Sequence, residues 1–181
     1  MYKRQCPLGL APTASTTAAL AMGDALAVAL LENRGFTRED FALSHPAGSL
    51  GRRLLLHVAD IMHTGAEIPQ VPRGTLLKET LVEMSKKGLG MTAVVGGDGR
   101  VAGIYTDGDL RRTLDASVDI HTTRVDTVMT PDPVTIGAAV LAAEALRIME
   151  ERKINALLIV DGQGALTGAM NMHDLLRAGV V

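Results

Sequence analysis

Apolar positions follow two different rhythms along the chain. From about Ala14 to Asn33 they go nearly all the way round a helical wheel (Ala18, Ala19, Leu20, Ala21, Met22, Ala25, Leu26, Val28, Ala29, Leu30, Leu31). Thr13, Ser15, Thr16 and Thr17 offer caps at its start and Gly35 a stop at its end, so one helix is predicted there. A helix apolar on every side belongs inside a large domain. The roughly 55 residues up to the next regime cannot supply the layers to cover it. This part therefore reads as the tail of a domain whose beginning is missing, with Met1 to Gln5 as an unrelated appendage. Residues 7–12 read as a Pro/Gly loop after a buried strand. Thr37 and Asp40 have the spacing of a capping box for a short helix, and Ser44-His45-Pro46-Ala47-Gly48 reads as a turn.

From residue 58 the rhythm changes and then repeats. Gly103 and Gly168, Asp109 and Asp174, Leu110 and Leu175, Met84 and Met149, and Gly99 and Gly164 are all separated by one and the same interval. Val58-Ala59-Asp60-Ile61-Met62 is echoed by Val125-Asp126-Thr127-Val128-Met129 at a slightly longer interval, so a small gap separates the copies. A period this long suits a duplicated small module rather than a solenoid unit. Each copy opens on a short segment ending in Met and an extended stretch. An amphipathic helix follows, carried by Leu77, Leu81 and Met84, or by Leu141, Ala145, Ile148 and Met149. Then come a strand (92–95; 156–160), a Gly-rich hairpin turn (96–99; 161–164) and a second strand (101–105; 165–170). A last helix opens between Asp107 and Asp109, or at His173-Asp174. The order is β-α-β-β-α twice. Two units that cannot bury their own cores should pack on each other, and the cleft between them is the first place to look for a ligand.

Composition narrows the function classes. Hydrophobic residues make up 47% of the chain, enough for a core, but aromatics only 2%. That disfavours base-stacking platforms for nucleic acid, and a net charge of −2 gives no basic footprint. Polar residues interrupt every apolar run before it is long enough to cross a bilayer, so no membrane span is expected. No secretory signal is read at the N-terminus. The single cysteine, Cys6, cannot form an internal disulfide, which fits a reducing cytoplasm.

Three constellations carry candidate chemistry. In Gly103-Ile104-Tyr105-Thr106-Asp107-Gly108-Asp109-Leu110 a strand runs into a helix. Thr106 and Asp109 form a capping box on one reading. On the other, the helix N-terminus takes a phosphate and the Asp accepts hydrogen bonds from ribose hydroxyls. The second is the hydroxyl-rich segment from Leu8 to Thr17, either helix capping or a polyol or phosphate site. The third is His45, a structural residue in a turn or a group suited to proton transfer near neutrality. His57 and His63 are near in sequence, but no zinc-type spacing appears, so no metal and no cofactor are expected.

The duplicated motif resembles a tandem cystathionine β-synthase (CBS) domain pair over about residues 58–179. The resemblance implies a pseudo-twofold α/β disc with nucleotide or adenosyl ligands in the cleft. Gly103, Thr106 and Asp109 match the ribose/phosphate motif. Gly168 and Asp174 match in the second copy, where Asn171 replaces the usual Thr or Ser. Thr127 is a further cleft candidate. The stretch from Cys6 to residue 65, with the C-terminal Met172-His173-Asp174-Leu175-Leu176-Arg177-Ala178-Gly179-Val180-Val181, resembles the bacterial D-arabinose 5-phosphate isomerase family.

That family joins a sugar isomerase (SIS) domain, an α/β sandwich, to a CBS pair. The implied organisation is residues 1–54 as the end of a SIS domain, 55–119 as the first CBS domain and 120–181 as the second. The implied activity interconverts D-ribulose 5-phosphate and D-arabinose 5-phosphate for Kdo and lipopolysaccharide synthesis, in a cytoplasmic homotetramer. His45 corresponds to the family's catalytic histidine, and Ser15 and Thr16 lie in the segment that approaches the sugar. The family's Lys-Glu-Ala ahead of Cys-Pro-Leu-Gly is Lys3-Arg4-Gln5 here, so one candidate carboxylate is absent. Aldose–ketose isomerisation needs a base, an acid for the oxygens and oxyanion donors. A chain with only part of that set should turn over negligibly by itself. The resemblance implies a nucleotide or CMP-Kdo as cleft ligand. The alternatives are a non-catalytic nucleotide-sensing CBS pair, its N-terminal helix used for assembly, and a sugar-phosphate-binding regulator.

Overall fold

The structure is a computed structural model that describes residues 13–37, 40 and 55–180. The chain divides into two units, Met1–His45 and Pro46–Val181. The first unit contains helix α1, Ala14–Asn33, as its apolar run predicts. Gly35 follows the C-cap Arg34 with φ +61°, a left-handed turn that costs glycine little. Phe36 N–H reaches back to Leu31 O at 3.0 Å. Thr37 and Asp40 make the expected box: Thr37 N–H donates to Asp40 Oδ2 at 2.9 Å and Asp40 N–H to Thr37 Oγ1 at 3.2 Å.

The sequence expects an apolar helix with too little chain to cover it, and α1 is such a helix. It buries none of its residues: Leu20 is 70% exposed and Met22 63%. The apolar girdle that pointed to an interior helix is uncovered in this chain. By length and composition alone α1 is also long and apolar enough to cross a membrane, with a mean hydropathy of 1.5. Its many alanines carry that average, although polar residues interrupt every long run.

In the second unit each repeat adopts the same path. The first holds β1 (Gln70–Pro72), α2 (Leu77–Lys87), β2 (Met91–Val95), β3 (Val101–Thr106) and α3 (Asp107–Asp115). Strand β4 (Thr130–Pro131) then opens the second, followed by β5 (Thr135–Ile136), α4 (Ala142–Arg152), β6 (Ala156–Val160), β7 (Leu166–Asn171) and α5 (Met172–Arg177). The β-α-β-β-α order is as read from sequence, with β4 as an additional strand. The sheets run β1-β2-β3-β4 and β5-β6-β7. β1 lies parallel to β2 and β5 to β6, while each hairpin is antiparallel.

Alternation along the strands sorts the core into layers. Val94 and Tyr105 face α2 in one cluster, while Leu157 and Ile159 face α4 in another. The opposite faces meet between the sheets, where Met91, Ala93 and Ile104 pack with Leu158 and Ala169. The two hairpins also touch directly through a bridge between Arg100 and Ala165, which are equivalent positions of the two copies.

The segments that open the two copies change places. Val58 is fully buried with Ala142, Met149 and Leu157 of the second module. Val125 is fully buried with Leu77, Met84 and Tyr105 of the first. The backbone bonds are equally matched: Val58 N–H to Val140 O at 2.8 Å and Val125 N–H to Thr75 O at 2.9 Å. Each module's core is thus completed by the other's leading segment. This is how two units too small to close a core alone stabilise one another.

Candidate functional site

Glycine and methionine bring each leading segment close to the partner sheet. A Cβ on Gly103 would overlap Met129 Sδ, and one on Gly168 would stand 2.6 Å from Met62 Sδ. Both glycines are buried. They admit a thioether against the strand and so fix the residue after each methionine, Thr130 and His63, beside the motif that follows the strand.

At the first motif, Thr106 caps α3. Its N–H and hydroxyl donate to Asp109 Oδ2 at 2.8 and 2.6 Å, and Asp109 N–H returns to Thr106 Oγ1 at 3.3 Å. Asp109 Oδ1 accepts from Arg112 Nη2 at 2.5 Å and from Thr130 Oγ1 at 3.0 Å. The carboxylate is 3% exposed yet fully engaged. Below it Tyr105 O–H donates to Thr113 Oγ1, and Thr113 O–H to Asp109 O. Burial pushes the Tyr105 hydroxyl up, with Asp109's charge adding to it, so it stays a donor.

The second motif reproduces the cap with a different residue. Asn171 Oδ1 accepts from His173 N–H at 2.9 Å and Asp174 N–H at 3.3 Å, and Asn171 N–H donates to Asp174 Oδ2 at 2.8 Å. Asn171 also has an amide that a threonine lacks, 3.4 Å from Leu89 O in the other module. The departure from Thr/Ser keeps the cap and adds a tie between modules. Asp174 Oδ1 faces His63 Nε2 at 3.1 Å.

Between the modules lies a cleft of about 1020 Å³. Both motifs contribute: Thr106, Asp107 and Asp109 from one, Asn171, Met172 and His173 from the other. So do the loops after the two central helices, through Gly88, Leu89 and Gly90 and their equivalents in the second copy, Lys153, Ile154 and Asn155. Matched backbone bonds join these loops to the motifs: Asp107 N–H to Gly90 O at 3.2 Å and Met172 N–H to Asn155 O at 3.0 Å. Ile104, Pro133, Val134 and Ile154 supply apolar wall, and Arg111, Arg112, Lys153 and His173 supply donors. The N-terminus of α3 opens on the same space, where backbone N–H groups favour an anion.

Of the candidates from sequence, Thr106, Asp109 and Asn171 line this cleft. Gly103 and Asp174 act one layer behind, the first against Met129 and the second against His63. Thr127 is placed differently from its expectation. It is exposed in a 3-10 turn, its hydroxyl donates to Arg124 O at 2.8 Å, and it is not among the lining residues. Ser15 and Thr16 are exposed in the first turn of α1, where Thr16 O–H donates to Thr13 O at 2.8 Å. His45 and Cys6 lie outside the described residues.

Sequence reading missed Asp132, Pro133, Val134, Lys153 and Asn155. One signal was available for Lys153. The first copy has glycine at its counterpart, Gly88, in a left-handed turn with φ 70°, and Lys153 holds φ 54° there. A lysine in a glycine's conformation is worth a look for function.

Comparison with known proteins agrees with this geometry. The family described as "CBS domain" matches residues 58–116 and 125–181. The chain is 61% identical over 176 residues to the arabinose 5-phosphate isomerase KdsD of Pseudomonas aeruginosa, and 56% over 179 to that of Escherichia coli K12. The matches cover 97% and 99% of this chain but 54% of each relative, so the chain spans about half the length of the curated relatives it matches. Among solved structures it is similar to the CBS domain protein PAE2072 of Pyrobaculum aerophilum complexed with AMP. The TM-score is 0.61 at 17% identity, covering 66% of this chain and 90% of that one, a likeness of fold. With its exchanged segments, its two capped motifs and a match over more than half its length, the chain belongs to the CBS domain family.

Proposed function

We propose that this chain is the ligand-sensing part of an aldose–ketose isomerase that interconverts D-ribulose 5-phosphate and D-arabinose 5-phosphate. The observation that carries the reading is the extent of the likeness to the two isomerases. It runs over nearly the whole chain, through the unrepeated residues before 58 as well as the CBS pair. Residues 1–54 are then the end of a SIS domain, and the exposed girdle of α1 is the surface that the rest of that domain covers. The modules are 55–119 and 120–181. His45 shuttles protons at the sugar, and Ser15 and Thr16 stand near it. The product feeds Kdo and lipopolysaccharide synthesis in the cytoplasm, in a homotetramer.

The cleft takes a nucleotide. Its apolar wall suits a base, and Thr106, Asp109 and the α3 N-terminus suit ribose and phosphate. AMP in the related fold supports this chemistry, and CMP-Kdo is a candidate feedback ligand.

Two measurements test the proposal. The chain alone should show negligible turnover of D-arabinose 5-phosphate. Joined to the preceding half of the Pseudomonas relative it should turn over, and His45→Ala should lower that rate by about 10²–10⁴-fold. Unchanged turnover after His45→Ala removes the catalytic role. Calorimetry with AMP, CMP and CMP-Kdo tests the cleft, and absence of heat with all three favours a purely structural pair.

A further inference from the structure

The cleft is less symmetric than the repeat that builds it, and the difference sits at the gap between the copies. Pairing Met62 with Met129 and Gln70 with Thr135 leaves residues 63–69 opposite 130–134, a longer stretch on the first side. The extra length forms a 3-10 turn, Gly65–Glu67. It carries Ile68 inward, where it is 5% exposed and packs with Leu89, Met91, Ile104 and Leu158 between the sheets. Pro69 beside it is also buried. Their counterparts, Pro133 and Val134, are half-buried and line the cleft, whereas none of residues 63–69 does.

The residue after each methionine follows the same division. On the first side, Asp109 Oδ1 takes only the small Thr130 hydroxyl and the guanidinium of Arg112, whose side chain is 68% exposed, and the residue lines the cleft. His63 puts a ring against Asp174, Nε2 to Oδ1 at 3.1 Å, while its Nδ1 stands 3.2 Å from Glu67 Oε2 of the same turn. Lys87 Nζ donates to Ala66 O from the far side.

Resting on the nucleotide reading above, we propose that residues 63–69 are a built-in plug that closes the second half of the cleft. The pair takes one ligand per chain, at the Thr106/Asp109 half. Ile68 fills the place of a base and His63 occupies the carboxylate that would hold a ribose. Duplication made two half-sites, and the short insertion converted one into a strut. The bound ligand is therefore read by one face of the disc.

The test uses the full chain with AMP as probe, in calorimetry that reports stoichiometry, together with amide exchange at residues 65–68. One AMP per chain is expected, lost in Asp109→Asn and retained in Asp174→Asn. His63→Thr with Ile68→Ala should raise the number of sites toward two. Two AMP per chain in the wild type, or equal loss in both aspartate variants, overturns the plug while upholding the nucleotide reading. If the wild type takes no AMP, the stoichiometry is read with CMP or CMP-Kdo; if it takes none of the three, the nucleotide reading fails and exchange decides the plug by itself. The Glu67 and Ile68 amides, bonded to Thr64 O and Gly65 O, should then exchange at least about tenfold more slowly in the wild type than in His63→Thr. Unprotected amides in the wild type overturn the plug whether or not the variants fold.

Discussion

Thr92 is fully buried on β2, and its hydroxyl has no hydrogen-bond partner among the described residues. Its counterpart in the second copy is Leu157, which is fully buried with no polar atom to satisfy. Removing the hydroxyl at constant shape removes a desolvation cost. Thr92→Val should raise stability by about 1 kcal/mol, visible as a higher midpoint in thermal unfolding. Gly103 makes the opposite case. Gly103→Ala should cost about 1–3 kcal/mol, since a Cβ there meets Met129. Combined with Met129→Ala it should cost less than the sum of the two changes in a double-mutant cycle. In sequence Gly103 reads as a strand residue that opens the ribose/phosphate motif. That it answers a methionine from the other copy needs the packed structure.

At the scale of elements, helices and hairpins were legible because their causes are local. Leu77, Leu81 and Met84 set α2 by their spacing, Gly99 and Gly164 turn the hairpins at φ 78° and 82°, and Thr106 with Asp109 declares its own cap. Strand β4 was not legible. Thr130 and Pro131 are too short a run to show a periodicity, and only pairing with β3 makes them a strand.

The same crossing segment holds Asp126, which accepts from Arg73 Nε at 2.8 Å and from Gly74 N–H in the first module. Burial is the largest influence on Asp126 and opposes ionisation. Arg73, through hydrogen bond and charge, and backbone N–H groups together outweigh it and hold the carboxyl below its ordinary value. A carboxyl depressed on folding contributes stability that is present above its unfolded pKa of about 3.9. That contribution is lost as pH falls through the folded value. Asp126→Asn should therefore lower stability by about 1 kcal/mol at neutral pH. The gap to wild type should close below about pH 4 in urea unfolding across pH.

On the scale of the whole molecule, the two units differ in kind. Among the described residues, Pro46–Val181 has three buried clusters, whereas α1 buries nothing. Deleting residues 1–45 should leave the unfolding midpoint of the CBS pair unchanged and sharpen the elution profile in size-exclusion chromatography. A lowered midpoint would show that α1 supports the pair. The sequence by itself determined the duplication, the element order and the Thr106–Asp109 cap, because periodicity, turn chemistry and capping act over short stretches of chain. Tertiary structure alone decided that the leading segments change places, that Thr127 faces solvent, and that Asp174 meets His63. The last pair comes from opposite ends of the CBS pair. Such contacts are set by which surfaces must be buried together, and no local pattern records them.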